Sequence, residues 1–304
     1  MKKIKNVSGF DSPDYNTVKE IIVTGAKKGG DKRQFVFLDK NKNECERSFN
    51  QTWSEISAIG TFFYGRGLDG QKKIAIIGEN CFEWMIIYYA TLVGCNITVP
   101  MDAKLPEEDL ADQLIRCGCD ALVYTDKFIG MVENFKKYPD MPEMQYFNIT
   151  DDYADFISEG EKALKNGEKA FLNAEVKPED LACIAYTSGT TAKSKGVMLT
   201  HKNIASNCSS ACRAHTGRHV IGFIPLNHTY AWVSALFATY IVIEWGYMCD
   251  SIKDIQKDLV KIKPYNFSGV PLVVETITIK SGKQQKERAE KTFSKKVLKS
   301  AISL

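Results

Sequence analysis

Apolar positions along the chain recur at two spacings, and the alternation between them predicts the architecture. Near the start, Tyr15–Ala26 has the 3.6-residue period of an amphipathic helix. Phe35-Val-Phe-Leu and Cys45-Glu-Arg-Ser-Phe then read as two strands joined by the turn Asp39-Lys-Asn-Lys-Asn. Ser54 to Phe63 is helical, with Ile56, Ile59 and Phe63 on one side. From Lys72 the pattern becomes strand, helix, strand. Lys73-Ile-Ala-Ile-Ile-Gly78 is a short apolar strand, and Asn80 is placed to cap a helix over Cys81–Val93 that is apolar on nearly all faces. Asn96-Ile-Thr-Val99 returns as a strand, and Pro106-Glu-Glu-Asp-Leu opens the next helix. Ala121-Leu-Val-Tyr124 and Met144-Gln-Tyr-Phe-Asn148 are further strands. A βαβαβ order of this kind predicts an α/β fold with mainly parallel sheets sandwiched by helices.

The second half continues the alternation. Asp151–Lys177 is polar and charged, a helix and linker ahead of two strands, Leu181–Tyr186 and Gly196–Thr200. A helix from His201 to about Ala214 follows, then a strand at Val220–Ile224 and the segment Pro225-Leu-Asn-His-Thr-Tyr-Ala-Trp232. The apolar run Ala231–Ile243 reads as a buried helix reaching Trp245, well short of the ~20 residues that span a bilayer. A strand near Tyr247-Met-Cys, a helix over Ile252–Ile262 and a strand ending at Gly269-Val-Pro-Leu complete it. Residues 281–304 are basic, with Ala289, Phe293, Val297 and Ala301 at helical spacing.

Composition narrows the function. In 304 residues, 44% hydrophobic and 25% charged content is that of a globular protein with a large core. A net charge of +3 is too small to argue for nucleic acid as partner. Nine cysteines, an odd number without framework spacing, and no leader-like apolar segment at the start point to reduced thiols and a cytoplasmic location.

Two phosphate-loop look-alikes fail on context. Gly65-Arg-Gly-Leu-Asp-Gly70 matches G-x-G-x-x-G, but a helix precedes it and a strand follows, the reverse of the dinucleotide order, so it reads as a helix end and turn. Gly25-Ala-Lys-Lys-Gly-Gly30 has Asp31 where a phosphate-binding lysine would stand. Cys208, Cys212, His215 and His219 share one helical stripe, yet the first and last would lie ~16 Å apart at 1.5 Å per residue, so no metal site is expected.

The stretch Tyr186-Thr-Ser-Gly-Thr-Thr-Ala-Lys-Ser-Lys-Gly-Val-Met-Leu-Thr200 is different. Five hydroxyls, a glycine and two lysines fall between two strands, and such a loop can converge backbone N–H groups, hydroxyls and positive charge on an oxygen-rich anion. Its order resembles the signature loop of the acyl-adenylating superfamily, Tyr-Thr-Ser-Gly-Thr-Thr-Gly-x-x-Lys-Gly-Val. It departs only at Ala192, where the family usually has glycine; a methyl there would hinder a positive φ or a close phosphate approach. Ile77-Gly-Glu-Asn-Cys-Phe-Glu-Trp84 and Val99-Pro-Met-Asp-Ala-Lys-Leu-Pro-Glu107 resemble the long-chain fatty acid–CoA ligase branch, and Pro225–Trp232 resembles the family's Pro-Leu-x-His segment. The resemblance covers roughly residues 15 to 275.

That resemblance implies ATP-dependent activation of a fatty acid to an acyl-adenylate and then to a coenzyme A thioester, with ATP, Mg²⁺ and coenzyme A as co-reactants. It implies that Thr187, Ser188, Gly189, Thr190, Thr191 and Lys195 hold the ATP phosphates, Lys193 being less secure. His228, Tyr230 and Trp232 would lie on the carboxylate and adenylate side, although Trp232 and Tyr230 fit a core equally well. The family's Gly-Tyr-Gly-x-Thr-Glu and Thr-Gly-Asp strings do not occur here, nor does the region of its C-terminal lysine. The sequence therefore reads as a partial N-terminal adenylation domain, 1–280, with its phosphate loop at 186–197 and a basic helical tail at 281–304. The C-terminal domain is expected to be absent and the chain inactive alone. Peripheral membrane contact and a homodimer are both compatible with it. A non-catalytic nucleotide-binding module, or a scaffold on the same fold, is the alternative.

Overall fold

The computed structural model describes residues 13–187, 193–213, 219–232, 237–249 and 254–264. All of them fall within one compact unit that ends at Asn266. The elements run α1 (Val18–Gly29), β1 (Arg33–Leu38), β2 (Glu44–Ser48), α2 (Phe49–Gly65), β3 (Lys73–Ile77), α3 (Phe82–Val93), β4 (Ile97–Pro100), α4 (Glu107–Cys117), β5 (Ala121–Tyr124), α5 (Ile129–Phe135), β6 (Gln145–Asn148) and α6 (Tyr153–Lys165). After them come β7 (Leu181–Thr187), β8 (Lys195–Thr200), α7 (His201–Arg213), β9 (His219–Gly222), the helical turn α8 (Thr229–Ala231), α9 (Phe237–Val242), β10 (Trp245–Met248) and α10 (Ile255–Ile262).

The strands form two sheets. One has six strands in the order β6-β5-β3-β4-β7-β8, parallel except for the β7–β8 hairpin. The other has four, β2-β1-β10-β9, in which β1, β10 and β9 are parallel and β2 returns antiparallel. The second sheet joins strands about 200 positions apart, Phe35 opposite Gly246 and Val36 opposite Tyr247. Local periodicity carries no trace of such a pairing.

Helix α3 is the shared core. Phe82, Trp84 and every residue from Met85 to Val93 are buried. Phe82 stacks on Phe37 of the four-stranded sheet at 4.2 Å, while α3 also lies against β3 and β4 of the six-stranded sheet. On the far face of the larger sheet, α4 and α5 bury Leu110, Leu114, Val132 and Phe135 over Ala75, Ile77, Val99 and Leu122. Small residues allow tight helix contact. A Cβ on Gly160 of α6 would lie 1.9 Å from the Ala58 carbonyl oxygen of α2, and one on Gly60 would meet the buried Phe171 ring.

Several boundaries differ from the sequence reading, each for a local reason. Helix α1 begins at Val18 because the Thr17 hydroxyl accepts from Glu20 N–H at 3.0 Å. Helix α2 begins at Phe49, not Ser54, under a Ser48/Gln51 capping box. Asn80 is not the cap of α3. The Cys81 sulfur fills that place, accepting from Trp84 N–H at 3.4 Å. The apolar helix closes at Val242, Ile243 takes a positive φ, and Trp245 opens β10 instead of ending a helix. Helix α5 follows β5 where the sequence reading placed no helix.

Other readings hold. The G-x-G-x-x-G run is the end of α2 and the turn before β3, with Gly67 and Gly70 at positive φ. The Walker-like run lies within α1 and its Gly30 cap. The single helical stripe of Cys208, Cys212, His215 and His219 does not hold: Cys208 lies on α7 and His219 opens β9, while Ala214–Arg218 lie outside the described residues. The strand ending at Gly269-Val-Pro-Leu and the 281–304 helix also fall outside them. Among the described residues, no helix is long and apolar enough to cross a membrane.

Candidate functional site

The signature stretch is a β-hairpin. Tyr186 pairs with Gly196 and Thr187 with Lys195. Strand β7 runs parallel to β4, which places Thr187 at the carboxyl end of the parallel strands, where ligands collect in open α/β sheets. Of the candidate phosphate-binding residues, Thr187 and Lys195 are described; Ser188, Gly189, Thr190, Thr191 and the departing Ala192 lie outside the described residues.

Both arms of the hairpin are held by one face of α4. The Tyr186 hydroxyl donates to Gln113 O at 3.0 Å, and the Arg116 guanidinium sits over the Tyr186 ring at 5.6 Å. Gln113 Nε2 donates to Ser194 Oγ at 3.0 Å. Lys193 pairs with Asp112 at 3.0 Å, and Arg116 pairs with the same carboxylate at 2.7 Å. Those contacts hold the Asp112 carboxyl below its ordinary range, Lys193 first and Arg116 second, against a burial effect of opposite sign. Lys193 therefore has a carboxylate partner, whereas Lys195 is exposed and makes no ion pair among the described residues. Burial, aided by the nearby Cys117, keeps the Tyr186 phenol proton well above its usual value, so this ring stays neutral.

The Pro225–Trp232 segment leaves β9 and turns sharply, with His228 N–H donating to Pro225 O at 3.0 Å and Ala231 N–H to His228 O at 2.9 Å. Its three candidates have different surroundings. Trp232 is fully buried, donates from Nε1 to Leu226 O and packs on Tyr88 of α3 at 4.8 Å. Tyr230 is 51% exposed, and His228 is exposed at the start of α8.

Hairpin and segment meet. A cleft of about 470 Å³ is lined by Ala185, Thr187 and Val197 of the hairpin, by Ile204 and Asn207 of α7, and by Thr229, Tyr230 and Trp232. Thr187, Tyr230 and Trp232, which are far apart in sequence, thus share one cavity; His228 and Lys195 do not line it. The sequence reading missed the α7 wall, whose Ile204 shows only as an ordinary apolar position of an amphipathic helix.

Comparison with known proteins gives the family and the fold. A long-chain-fatty-acid–[acyl-carrier-protein] ligase of Arabidopsis thaliana is 25% identical over 290 residues, covering 88% of this chain and 39% of its own length. Fatty acyl-CoA synthetase B of Dictyostelium discoideum is 26% identical over 291 residues, covering 89% of this chain and 43% of its own. The chain thus spans about two fifths of the length of these relatives. The crystal structure of a long-chain-fatty-acid–CoA ligase from Archaeoglobus fulgidus superposes with a TM-score of 0.74 at 18% identity, over 91% of this chain and 56% of that one, which shows a common fold. The model of the AMP-binding enzyme family matches residues 23–303, and the chain belongs to that family.

Proposed function

We propose that this protein carries the phosphate side and the acyl side of a ligase site that activates a fatty acid with ATP, within an adenylation domain spanning 1–280. The supporting observation is the shared cleft, which brings the hairpin's Thr187 beside Tyr230 and Trp232. In the proposed reaction a carboxylate oxygen attacks the α-phosphorus of ATP, pyrophosphate leaves, and the acyl-adenylate then transfers its acyl group to the thiol of coenzyme A with release of AMP and a proton. The contribution of this chain is positioning and charge. The hairpin hydroxyls and backbone amides, with Lys195, would hold the β- and γ-phosphates in line for attack. Among the described residues Thr187 Oγ donates only a 3.5 Å contact to Lys195 O, and its oxygen could accept from or donate to a ligand. A hydroxyl-rich loop suits Mg²⁺ held largely through nucleotide phosphates; bound there, the ion would offset charge on the leaving pyrophosphate. The apolar walls, Val197, Ile204 and Trp232, suit an alkyl chain; Tyr230 in the lining, with His228 two residues before it and outside the lining, would form the carboxylate side.

Titration calorimetry of the 304-residue chain with Mg·ATP and with palmitate tests this reading. Binding of both ligands is expected, with the nucleotide held about ten- to a hundred-fold more weakly in Lys195→Ala. Binding of ATP without palmitate would favour a non-catalytic nucleotide module, and no ATP binding at all would overturn the proposal.

A further inference from the structure

Asn80 stands just beyond β3 of the six-stranded sheet, yet its side chain is committed to the other sheet. Its Nδ2–H donates to Ile224 O at 3.0 Å, and its Oδ1 accepts from Leu226 N–H at 2.9 Å. One planar amide therefore satisfies a carbonyl and an N–H two residues apart, as a neighbouring strand would. The substitution for a strand matters here because β9 stops at Gly222, whose carbonyl takes the N–H of Cys249 at 2.8 Å. The strand pairing of β9 with β10 ends at that point, and Pro225 supplies no donor of its own. On the other side, the Trp232 indole donates to Leu226 O. Asn80 and Trp232 thus grip the same turn from two directions, and His228, Thr229 and Tyr230 lie within it. The flanking acid is engaged elsewhere: Glu79 accepts from the Thr125 hydroxyl at 2.7 Å and pairs with Lys127 at 3.0 Å.

We propose that Asn80 is a positioning residue. It holds the Pro225–Trp232 segment in register with the hairpin across the two sheets, and so sets affinity for the carboxylic acid without touching it. This rests on the reading of that segment as the carboxylate side of the site. Only asparagine among short side chains offers one donor and one acceptor in the required plane. An aspartate would keep the bond to Leu226 N–H but turn a carboxylate oxygen toward the Ile224 carbonyl. The hairpin is held by α4, not by Asn80, so nucleotide affinity should be independent of it.

Hydrogen exchange by mass spectrometry and calorimetric titration with palmitate and with Mg·ATP, on wild type, Asn80→Ala and Asn80→Asp in the full chain, test the proposal. Loss of the clamp should speed amide exchange in peptides covering 224–232 at least about tenfold and leave 181–200 unchanged, since two part-buried hydrogen bonds are lost in Asn80→Ala and one in Asn80→Asp. Palmitate should bind about tenfold more weakly in both variants, with Mg·ATP unaffected. Asn80→Asp, which keeps the volume, should be as damaging as Asn80→Ala; wild-type behaviour of that variant would overturn the donor role. Unchanged exchange at 224–232 would overturn the clamp itself. Equal weakening of both ligands with faster exchange throughout would reduce Asn80 to a general structural residue and overturn the positioning role. Wild-type protein that binds neither ligand would overturn the functional reading and with it the affinity claim, and faster exchange at 224–232 would in that case still register the clamp separately.

Discussion

Lys195 and Lys193 are two positions apart on one loop, and their surroundings separate them. Lys193 spends its charge on Asp112, while Lys195 keeps its charge opposite Thr187 in the hairpin. Lys195→Ala should therefore weaken nucleotide use by about ten- to a hundred-fold, the range for losing a charge-assisted contact, and leave the thermal midpoint within about a degree of wild type. Ala192→Gly should raise apparent ATP affinity if the methyl obstructs the loop; titration of the two variants side by side measures both effects. A second residue governs acid stability. His201 is fully buried, both ring nitrogens lack a hydrogen-bond partner among the described residues, and burial lowers its pKa from 6.5 to about 4 against an opposing pull from Asp180. Its folded value lies below its unfolded value, so the neutral ring favours folding. That contribution is complete above about pH 6.5 and is lost as the pH falls toward 4, to a total on the order of 3 kcal/mol. Urea midpoints measured across this window should fall less steeply for His201→Leu than for wild type. Parallel curves would show that the ring does not titrate as described.

At the scale of elements, close packing does what hydrogen-bonding motifs do elsewhere. Helices α2 and α6 approach so nearly at Gly160 that a methyl would have to displace the Ala58 carbonyl. Gly160→Ala should cost about 1–3 kcal/mol, which denaturant unfolding would register as a lower midpoint at unchanged slope. Phe171, beyond α6, plugs the hollow beside Gly60 and Gly94, and Phe171→Ala should cost about 3–5 kcal/mol by leaving that hollow empty. A loss below 1 kcal/mol would mean that the linker is not anchored there. The hairpin belongs to this scale as well, since Asp112, Gln113 and Arg116 are successive contact positions of α4. Charge and hydroxyl content announced the loop in the sequence. The helix that grips it gave no such signal, because Asp112 and Arg116 read as an ordinary i,i+4 surface pair.

Across the whole molecule, what was legible followed from range. Period and turn chemistry are local, so β3 to β6, the strands β7 and β8 and the fully apolar α3 were readable from the chain. The pairing of β1 with β10 was not, because it depends on contacts about 200 positions apart. Cys81 as the cap of α3 escaped for a related reason: Asn is the commoner cap, and only the tertiary demand of Ile224 and Leu226 on Asn80 leaves that place to a sulfur. The candidate residues of the two motifs were legible one by one, and their meeting in one cleft was not. That meeting carries the functional proposal, and a stable mimic of palmitoyl-adenylate, with a sulfamate in place of the phosphate, tests it most directly. Hydrogen exchange of the 304-residue chain with and without the mimic should show protection in two separate peptides, one covering 181–200 and one covering 224–232. Protection confined to one of them, or found in neither, would contradict a shared site.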